Sequence, residues 1–322
     1  MRIMITGAAG FIGGFLTKHC LAAGSKVLGI DVVTPRSGAE LNEFELCDVR
    51  DFGRLVDLIS KFRPQRIFHL AAQSHPVVSL SRPRETMDVN VNGTVSLFES
   101  LRTTELAPII IVACSSAEYG IVAEHDLPVR EDHALNPLHP YGVSKVTQDL
   151  LAAQYFANYA IPAIRIRIFK TTGPGKLDEV CSDLAKQAVE IEMGIRPPSM
   201  HVGNLISRRS IVDARDLVEG LWSSAEHCEF GEVYNLGGDD VYSVADIVEA
   251  VRVQVGIAFK SEQRPELMRA CDEPVTTGDN SKFRSRCAWE PRIRLAETLR
   301  DMLDWWRTQL SASHQATSVQ RA

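Results

Sequence analysis

The first half of the chain alternates short apolar runs with segments in which apolar residues recur every three or four positions. Runs rich in β-branched residues predict buried strands. The run IIIVACSS (109–116) is apolar up to its last two residues, as expected for a parallel sheet covered on both faces. The other predicted strands are RIMITG (2–7), KVLGID (26–31), FELC (44–47), RIFHLAA (66–72) and IPAIRIRIF (161–169).

The segments between these runs have helical periodicity over residues 11–23, 51–62 and 86–102. Gly24 is placed to end the first helix, and Arg63-Pro64 to end the second. Strands separated by helices of this length indicate right-handed βαβ units. The pattern therefore predicts an α/β fold with a Rossmann-type doubly wound parallel sheet.

After about residue 165 the pattern loosens, and prolines separate short predicted helices at 183–193, 214–226 and 244–255. We therefore predict a dinucleotide-binding domain over residues 1–170. A smaller mixed α/β substrate-binding lobe follows over residues 171–310, with some chain returning to the first domain. The tail SASHQATSVQRA (311–322) has no apolar period and is predicted to be disordered.

Composition narrows the class of protein without identifying it. The 322 residues are 45% hydrophobic and 24% charged, with a formal net charge of −6, which argues against nucleic-acid and anionic-membrane binding. No apolar stretch approaches the roughly 20 residues of a membrane span, and a strand beginning at Arg2 leaves no room for a signal peptide. The seven cysteines contain no C-x-x-C pair, so neither a metal site nor a disulfide framework is expected. These features predict a cytoplasmic protein.

A glycine triplet follows the first strand directly: Gly7, Gly10 and Gly13 form a G-x-x-G-x-x-G pattern that opens a helix. Such a turn lets a pyrophosphate approach the backbone and the helix N-terminus, at Phe11 and Ile12 here. Asp31 lies 18 residues beyond Gly13, where an acid accepts hydrogen bonds from adenosine ribose hydroxyls. Because a carboxylate repels a 2′-phosphate, NAD is the favoured cofactor. NADP is the alternative, with Arg36 close enough in sequence to soften the preference.

Asp48 follows the third predicted strand, where it would face the adenine end of the cofactor. Its competing interpretation is a cap for the helix that begins nearby. The two interpretations stay open at this point.

Tyr141 and Lys145 are four residues apart, so on a helix they share one face. A nearby ammonium group favours the phenolate, and we therefore expect Lys145 to lower the pKa of Tyr141. Ser115, where the strand IIIVAC ends, would orient a substrate carbonyl oxygen. A solvated helix face is the alternative for a Y-x-x-x-K pair alone, but the glycine triplet and the strand-end serine favour an active site.

These motifs, in this order and spacing, resemble those of the extended short-chain dehydrogenase/reductases, a family of NAD(P)-dependent nucleotide-sugar epimerases, dehydratases and reductases. The segment 202–220 (VGNLISRRSIVDARDLVEG) most resembles GDP-4-keto-6-deoxy-D-mannose reductases and GDP-mannose dehydratases. The stretches that carry the resemblance are GAAGFIG (7–13), FHLAAQS (68–74), NVNGT (90–94), SSAEYG (115–120), PYGVSK (140–145) and GPG (173–175).

The resemblance implies NAD(P) across the strand ends and a nucleotide-sugar substrate, GDP-linked, held by the C-terminal lobe. It implies a catalytic set of Ser115, Tyr141 and Lys145. It also implies a homodimer, in which the helices at 85–102 and 141–159 pair across a two-fold axis as a four-helix bundle. Further implied cofactor contacts are Asp48, Val49, Leu70, Ala71, Ala72, Gln73, Asn90, Tyr141, Lys145 and Phe169, and implied substrate contacts are Ser116, Ala117, Lys170, Asn204, Arg209, Arg269 and Asp272.

Ala117 restricts the chemistry that the resemblance would allow. Dehydratases of this family carry a glutamate at this position, and epimerase-reductases a cysteine, whereas alanine neither gives nor takes a proton. Glu118, one step along an extended segment, would point the other way. What remains is hydride exchange, either as reduction of a 4-keto sugar or as 4-epimerisation or 4-dehydrogenation. A dinucleotide-binding module without catalysis is the third alternative.

Two substitutions put the sugar's identity in doubt. Lys170 and Thr171 replace the asparagine and histidine that the family usually carries after the phenylalanine. The resemblance therefore implies a nucleotide-sugar substrate more firmly than it implies one particular sugar.

Overall fold

A computed structural model describes residues 1–35, 42–268 and 273–319, with side chains up to residue 312. Arg36, Arg269 and Asp272 lie outside the described residues, so the predictions for them are not taken further. The chain forms two compact units, each built from three stretches. The first unit comprises residues 1–169, 217–236 and 278–290, and the second 170–216, 237–277 and 291–322. The predicted domain boundary follows residue 170, and the first stretch of the first unit ends at residue 169.

The strands are β1 (Arg2–Thr6), β2 (Lys26–Asp31), β3 (Glu43–Leu46), β4 (Arg66–His69), β5 (Ile109–Ser115), β6 (Ala163–Ile168), β7 (Lys170–Thr172), β8 (Ser199–Val202), β9 (Arg208–Asp213), β10 (Val233–Leu236), β11 (Val241–Ser243), β12 (Lys260–Gln263) and β13 (Val275–Thr276).

The helices are α1 (Phe11–Ala22), α2 (Phe52–Phe62), α3 (Pro76–Ser81), α4 (Pro83–Met87), α5 (Gly93–Thr104), α6 (Pro140–Tyr159), α7 (Val180–Glu192), α8 (Ala214–His227), α9 (Val244–Val255), α10 (Ser281–Arg284) and α11 (Leu295–Val319). Short 3₁₀ turns occur at Ser116–Glu118, Glu124–Asp126 and Pro265–Leu267, and a π-helical turn at Asp88–Asn92.

The first unit contains a seven-stranded sheet in the order β10-β6-β5-β4-β1-β2-β3, with all strands parallel. Residues in register point to the same face, so Met4, Ile67 and Ile110 pack with buried residues of α2, α5 and α6. The predicted α/β fold with a doubly wound parallel sheet is therefore confirmed. Its parallel strands place β1, β4 and β5 with their carboxyl ends at one edge, where the candidate site lies.

The helix predicted over residues 86–102 is in fact interrupted. α4 ends at Met87, one π-helical turn spans Asp88–Asn92, and α5 begins at Gly93. The π turn inserts one extra residue into the helical repeat and brings Asn90 to the loop that follows β4. Apolar periodicity does not reveal such a turn, because the apolar face continues on both sides of it.

The second unit has its own sheet, in which β9 pairs with β7, β11 and β13, and a separate pair formed by β8 and β12. Its core lies among α7, α9 and α11. α11 continues to Val319, so the segment predicted to be disordered begins within this helix. Packed turns before Leu310 nucleate this helix, and adding residues to an existing helix costs little. In the part of the chain that the structure describes, none of the helices has the length and apolarity needed to cross a membrane.

Candidate active site

The glycine turn (residues 7–13) connects β1 to α1, and each of its glycines has a distinct role. Gly7 has φ +73°, and a Cβ there would lie 2.8 Å from the backbone nitrogen of Ala71. A Cβ on Gly13 would lie 2.2 Å from the Gly7 carbonyl oxygen, so only glycine lets α1 pack this closely against the turn. Gly10 is exposed at the start of α1, where no side chain caps the helix. The helix start is thus open to an anion, as a dinucleotide pyrophosphate requires.

The Asp31 carboxylate lies at the end of β2, beside the glycine turn. Its Oδ2 accepts the Ala9 N–H at 3.0 Å, and its Oδ1 accepts the Val32 N–H at 2.7 Å. The carboxylate therefore also supports the turn itself, a contribution that the sequence did not predict. Its side chain is partly exposed, as contact with a ribose hydroxyl would need.

Asp48 is not the cap of α2. Asp51 has that role, because its carboxylate accepts the Arg54 N–H at 3.0 Å. Asp48 instead accepts hydrogen bonds from the backbone and the guanidinium of Arg50, and these bonds lower the pKa of Asp48. Arg50 bridges Asp48 to Asp88 beside the π turn. Of the two interpretations, only a position near the cofactor stays open for Asp48.

A buried polar layer lies beneath the loop that follows β4. The ring of His69 is held between the hydroxyls of Thr6 (2.8 Å) and Thr94 (2.9 Å). Burial, with a smaller effect of the Lys145 charge, lowers the pKa of His69 to about 3, so the ring stays neutral. The Thr6 hydroxyl also accepts the Ala71 N–H at 3.1 Å. This layer fixes the backbone of Leu70 and Ala71, both predicted cofactor contacts.

Asn90, predicted as a cofactor contact, is fully buried and bonded within the protein. Its Oδ1 accepts the Gln73 N–H at 2.7 Å, and its Nδ2 donates to the Gln73 carbonyl at 3.1 Å and the Ser144 hydroxyl at 2.8 Å. Ser144 in turn donates to the Tyr141 carbonyl at 2.7 Å. Asn90 therefore connects the loop after β4 to α6 through its side chain. Ala72 and Gln73 are partly exposed in that loop.

Val49 and Phe169, which are also predicted cofactor contacts, have side chains that belong to hydrophobic clusters. Val49 is 4% exposed and packs in the cluster beneath α2 and α5. Phe169 is 3% exposed and packs with Tyr119 and Val129. The sequence could not separate these residues from ligand contacts, since apolar residues at strand ends serve both purposes.

The structure brings the three predicted catalytic residues together at the end of β5 and the start of α6. Ser115 and Tyr141 are hydrogen-bonded through their side chains. The Lys145 ammonium donates to the Ala113 carbonyl at 2.7 Å and lies 5.8 Å from the centre of the Tyr141 ring. Burial lowers the pKa of Lys145.

The pKa of Tyr141 moves in the direction opposite to that expected. Burial raises it to about 12, and the hydrogen bond with Ser115 offsets only part of the rise. The Lys145 ammonium, which donates to a backbone carbonyl of β5, is not among the groups that shift this pKa. The phenol is therefore protonated at neutral pH, as a proton donor must be.

Gly142 determines how closely α6 approaches the reacting loop (residues 115–120). A Cβ at Gly142 would lie 2.6 Å from the Ala117 carbonyl oxygen. The Ser115 side chain accepts the Ala117 N–H at 3.2 Å and so caps the 3₁₀ turn Ser116–Glu118. Ser116 and Ala117 are partly exposed, so the surface of this loop carries a hydroxyl and a methyl group.

Glu118 points away from that surface, as predicted, although the segment is a 3₁₀ turn and not extended. Its carboxyl is fully buried, and it accepts the Ser115 N–H at 2.8 Å and the Arg167 Nε–H at 3.1 Å. Asp149 of α6 accepts from the same Nε at 2.9 Å. Neither Arg167 nor Asp149 was predicted from the sequence. The available signal was the alternation of arginines with apolar residues in β6, which is unusual for a buried strand.

In the second unit, the predicted substrate residues Lys170, Asn204 and Arg209 already make contacts within the unit. Lys170 pairs with the buried Glu179 at 3.1 Å. The Asn204 side-chain oxygen accepts the Ile206 N–H at 3.2 Å. Arg209 donates to the Glu273 carbonyl at 2.6 Å and is partly exposed. A partly exposed guanidinium held in this way is pre-oriented, which suits it to phosphate.

Known proteins resemble this chain over most of its length. A curated relative, the GDP-6-deoxy-D-mannose reductase of Pseudomonas aeruginosa, is 24% identical over 310 residues, covering 96% of this chain and 98% of the relative.

Two solved structures also superpose on most of the chain. The structure of RMD from Pseudomonas aeruginosa complexed with NADPH has a TM-score of 0.86 at 24% identity, covering 96% of this chain and 99% of that one. The UDP-glucose 4-epimerase of Thermus thermophilus in complex with NAD has a TM-score of 0.84 at 25% identity, covering 95% and 99%.

The family model described as GDP-mannose 4,6 dehydratase matches residues 4–302, which is nearly all of the described chain. The resemblance that the sequence motifs indicated is thereby confirmed. The chain belongs to the GDP-mannose 4,6-dehydratase family, within the short-chain dehydrogenase/reductase type of nucleotide-sugar enzymes.

Proposed function

We propose that this protein is an NAD(P)H-dependent reductase of the 4-keto group of a nucleotide-linked sugar, resembling GDP-4-keto-6-deoxymannose. One observation carries the proposal: a protonated tyrosine, bonded to Ser115, adjoins a loop whose surface offers no carboxyl or thiol at position 117. Such a site can deliver a proton to a carbonyl oxygen. It lacks the additional base that dehydration or 3,5-epimerisation needs.

The cofactor assignment rests on the glycine turn and Asp31. Gly7 and Gly13 stand where a Cβ would collide with backbone, the start of α1 is uncapped, and Asp31 is partly exposed beside it. These groups would hold the pyrophosphate and the adenosine ribose of a dinucleotide. A bound NAD(P)H supplies the hydride to the carbonyl carbon. The relatives bound to NADPH and to NAD support NAD(P) as the class of cofactor.

The protein's own residues supply binding and the proton. Ser115 orients the carbonyl oxygen, and the Tyr141 hydroxyl, kept protonated by burial, gives its proton to that oxygen. Lys145 holds the nicotinamide ribose, and its anchoring to the Ala113 carbonyl fixes its position. Arg209 and Asn204 are proposed to contact the nucleotide diphosphate.

A 4-epimerase is the second candidate, because the UDP-glucose 4-epimerase from Thermus thermophilus is as similar as the reductase. The same three residues would first remove and then return the proton on the 4-oxygen. Ser115, Tyr141 and Lys145 serve either reaction, so the substrate panel is what separates the two candidates.

The test is a panel of substrates followed by nicotinamide absorbance and by product analysis. GDP-4-keto-6-deoxymannose with NADH or NADPH should be reduced stoichiometrically. UDP-glucose and GDP-mannose alone should be unchanged. The proposal is overturned if the 4-keto sugars are inert and a nucleotide-sugar is epimerised without net consumption of cofactor.

We also propose a homodimer through α5 and α6. Val143 and Leu150, seven residues apart on α6, are 42% and 57% exposed and form an apolar stripe. Light scattering should give twice the chain mass for the wild type and a monomer for Leu150→Lys. Val253→Lys, at an exposed position of α9, is the matched control.

A further inference from the structure

Three side chains behind the reacting loop form a buried charged cluster that the proposed mechanism does not use. Glu118 and Asp149 are fully buried and Arg167 is 4% exposed. They come from three elements: the 3₁₀ turn after β5, helix α6 and strand β6. The guanidinium Nε of Arg167 donates to Glu118 Oε2 at 3.1 Å and to Asp149 Oδ2 at 2.9 Å.

The two carboxyl groups also contact each other. An oxygen of each lies within 4.8 Å of the other and of the Cys114 sulfur, and the two carboxyls are hydrogen-bonded. Two carboxylates this close in a buried site do not both ionise readily, so they share a proton. Burial, followed by the Asp149 charge, raises the pKa of Glu118 to about 8, and this places the proton on Glu118 at neutral pH.

A metal ion is a poor occupant for this cluster, although a thiol and two carboxyls converge on it. The Arg167 guanidinium already donates to both carboxyls, and its fixed positive charge would repel a cation. Burial also raises the pKa of Cys114 well above its usual value, which opposes the thiolate that a metal would need. The cluster is suited to hold a proton.

The cluster is connected to both halves of the reacting site. Glu118 Oε1 accepts the Ser115 N–H at 2.8 Å, so it holds the backbone of the serine that contacts Tyr141. Asp149 lies four residues after Lys145 and eight after Tyr141, on the same face of α6. A bond between Glu118 and Asp149 therefore ties the reacting loop to the helix that carries the tyrosine and the lysine.

We propose that Glu118 is a positioning residue: in its protonated form it joins Ser115 to α6 through Asp149, and its ionisation in alkaline solution slows reduction. The kinetic part of this inference rests on the proposed reductase function, whereas the shared proton does not.

The direction of the effect follows from the groups that face Glu118. Strand β5 contributes Cys114 and the Ser115 N–H. Helix α6 contributes Tyr141, Lys145 and Asp149. Strand β6 contributes Arg167, and Arg165 lies on the far side of Asp149. Ionised Glu118 breaks the carboxyl–carboxyl bond. Its negative charge also raises the pKa of Tyr141, which makes the phenol a poorer proton donor.

The first test is Glu118→Gln, which keeps an acceptor for Ser115 and a donor for Asp149, loses the acceptor for Arg167, and cannot ionise. With saturating substrate, kcat of the wild type should fall about tenfold from about pH 7 to about pH 10, and the fall should be much smaller in the variant. At about pH 7 the variant should keep kcat within about threefold, with KM unchanged. An equal alkaline fall in both proteins overturns the kinetic proposal.

The second test reads the proton itself and needs no activity. Infrared difference spectra of the whole protein between about pH 7.5 and about pH 10 should show a protonated carboxyl band that disappears in alkali. The lower limit is chosen because burial raises the pKa of Asp183 to about 6, and that carboxyl has lost its proton by then. Glu118→Gln should lack this band. Glu99→Gln should retain it, because hydrogen bonds lower the pKa of Glu99 and keep that group ionised.

The results of the two tests separate the claim of a shared proton from the claim that its loss slows reduction. If the wild type has no such band, the shared proton is refuted, even where Glu118→Gln fails to fold. If the band is present but no ketone is reduced, the proposed function fails and the proton assignment stands.

Discussion

The glycine turn and the reacting loop lie at the same edge of the same parallel sheet, but they are built on different principles. The glycine turn is made by backbone: Gly7 and Gly13 are fixed because a Cβ would collide with neighbouring main-chain atoms. The reacting loop is made by side chains, since Ser115 is held through Glu118 and faces Tyr141 on α6. Damage to the turn should therefore reduce cofactor binding and folding, whereas damage to the loop should reduce chemistry with binding retained.

The largest effect is expected for Tyr141→Phe. Removing the phenol bonded to Ser115 should lower kcat by about 10²- to 10⁴-fold, because the carbonyl oxygen loses its proton donor. NAD(P) affinity, measured by calorimetry, should change little. Tyr159→Phe, at the exposed end of the same helix, should leave kcat intact. Full activity of Tyr141→Phe would remove the residue from the mechanism.

Gly13→Ala tests the backbone side of the comparison. The new methyl group would meet the Gly7 carbonyl at 2.2 Å, so we expect a loss of about 1–3 kcal/mol in the free energy of unfolding, with weaker cofactor binding. Gly14→Ala is the matched control in the same helix, because nothing lies within 4 Å of its Cβ. That variant should gain about 0.5–1 kcal/mol from helix propensity. Equal behaviour of the two variants in urea denaturation would contradict the close packing of α1 on the turn.

The buried polar layer beneath both regions should make stability depend on acid. The folded pKa of His69, about 3, lies below its unfolded value of about 6.5, so the unfolded chain binds more protons between these limits. Stability from this group is complete above about pH 6.5 and is lost as the pH falls. At pH 5.5 the loss should be about 1 kcal/mol. Urea titrations of the wild type and of His69→Gln should differ in this pH dependence, and identical slopes would exclude a neutral buried ring.

Asp31→Asn should change the choice of cofactor and not the rate of the chemical step. The amide keeps an acceptor for the backbone of residues 32 and 33, loses the acceptor for the Ala9 N–H, and removes the negative charge that would repel a 2′-phosphate. The ratio of NADP to NAD affinity should rise about tenfold, corresponding to about 1.4 kcal/mol. Asp57→Asn, on the exposed surface of α2, should leave the ratio unchanged. An unchanged ratio in Asp31→Asn would mean that another group selects the cofactor.

The sequence alone was sufficient to predict the structural features that depend on a local pattern of residues. Apolar runs identified the strands of the parallel sheet, and the glycine spacing identified the turn, because both follow from backbone geometry within a few residues. The Tyr141–Lys145 spacing likewise predicted a shared helix face. The predicted direction of the Tyr141 pKa shift was wrong, since the shift is dominated by burial, which depends on parts of the chain distant in sequence.

The buried partners were not predictable from local pattern. Glu118, Asp149 and Arg167 meet only because β5 and β6 are adjacent in the sheet and α6 covers them. Asn90 reaches Gln73 and Ser144 only because a π turn shifts its position. The residues joined by the Asn90 hydrogen bonds are 17 to 54 positions apart, and no sequence pattern indicates contacts over such separations.

The three-stretch composition of the first unit has a consequence for synthesis and for protein engineering. A fragment ending at residue 169 would lack β10, and would therefore leave β6 with unpaired hydrogen-bonding groups along one side. On the ribosome, the first unit stays unfinished until the chain has passed residue 290. Exchanging the second unit between related proteins would accordingly require splicing at several internal junctions, whereas a single crossover after residue 169 would pair β6 of one parent with β10 of the other.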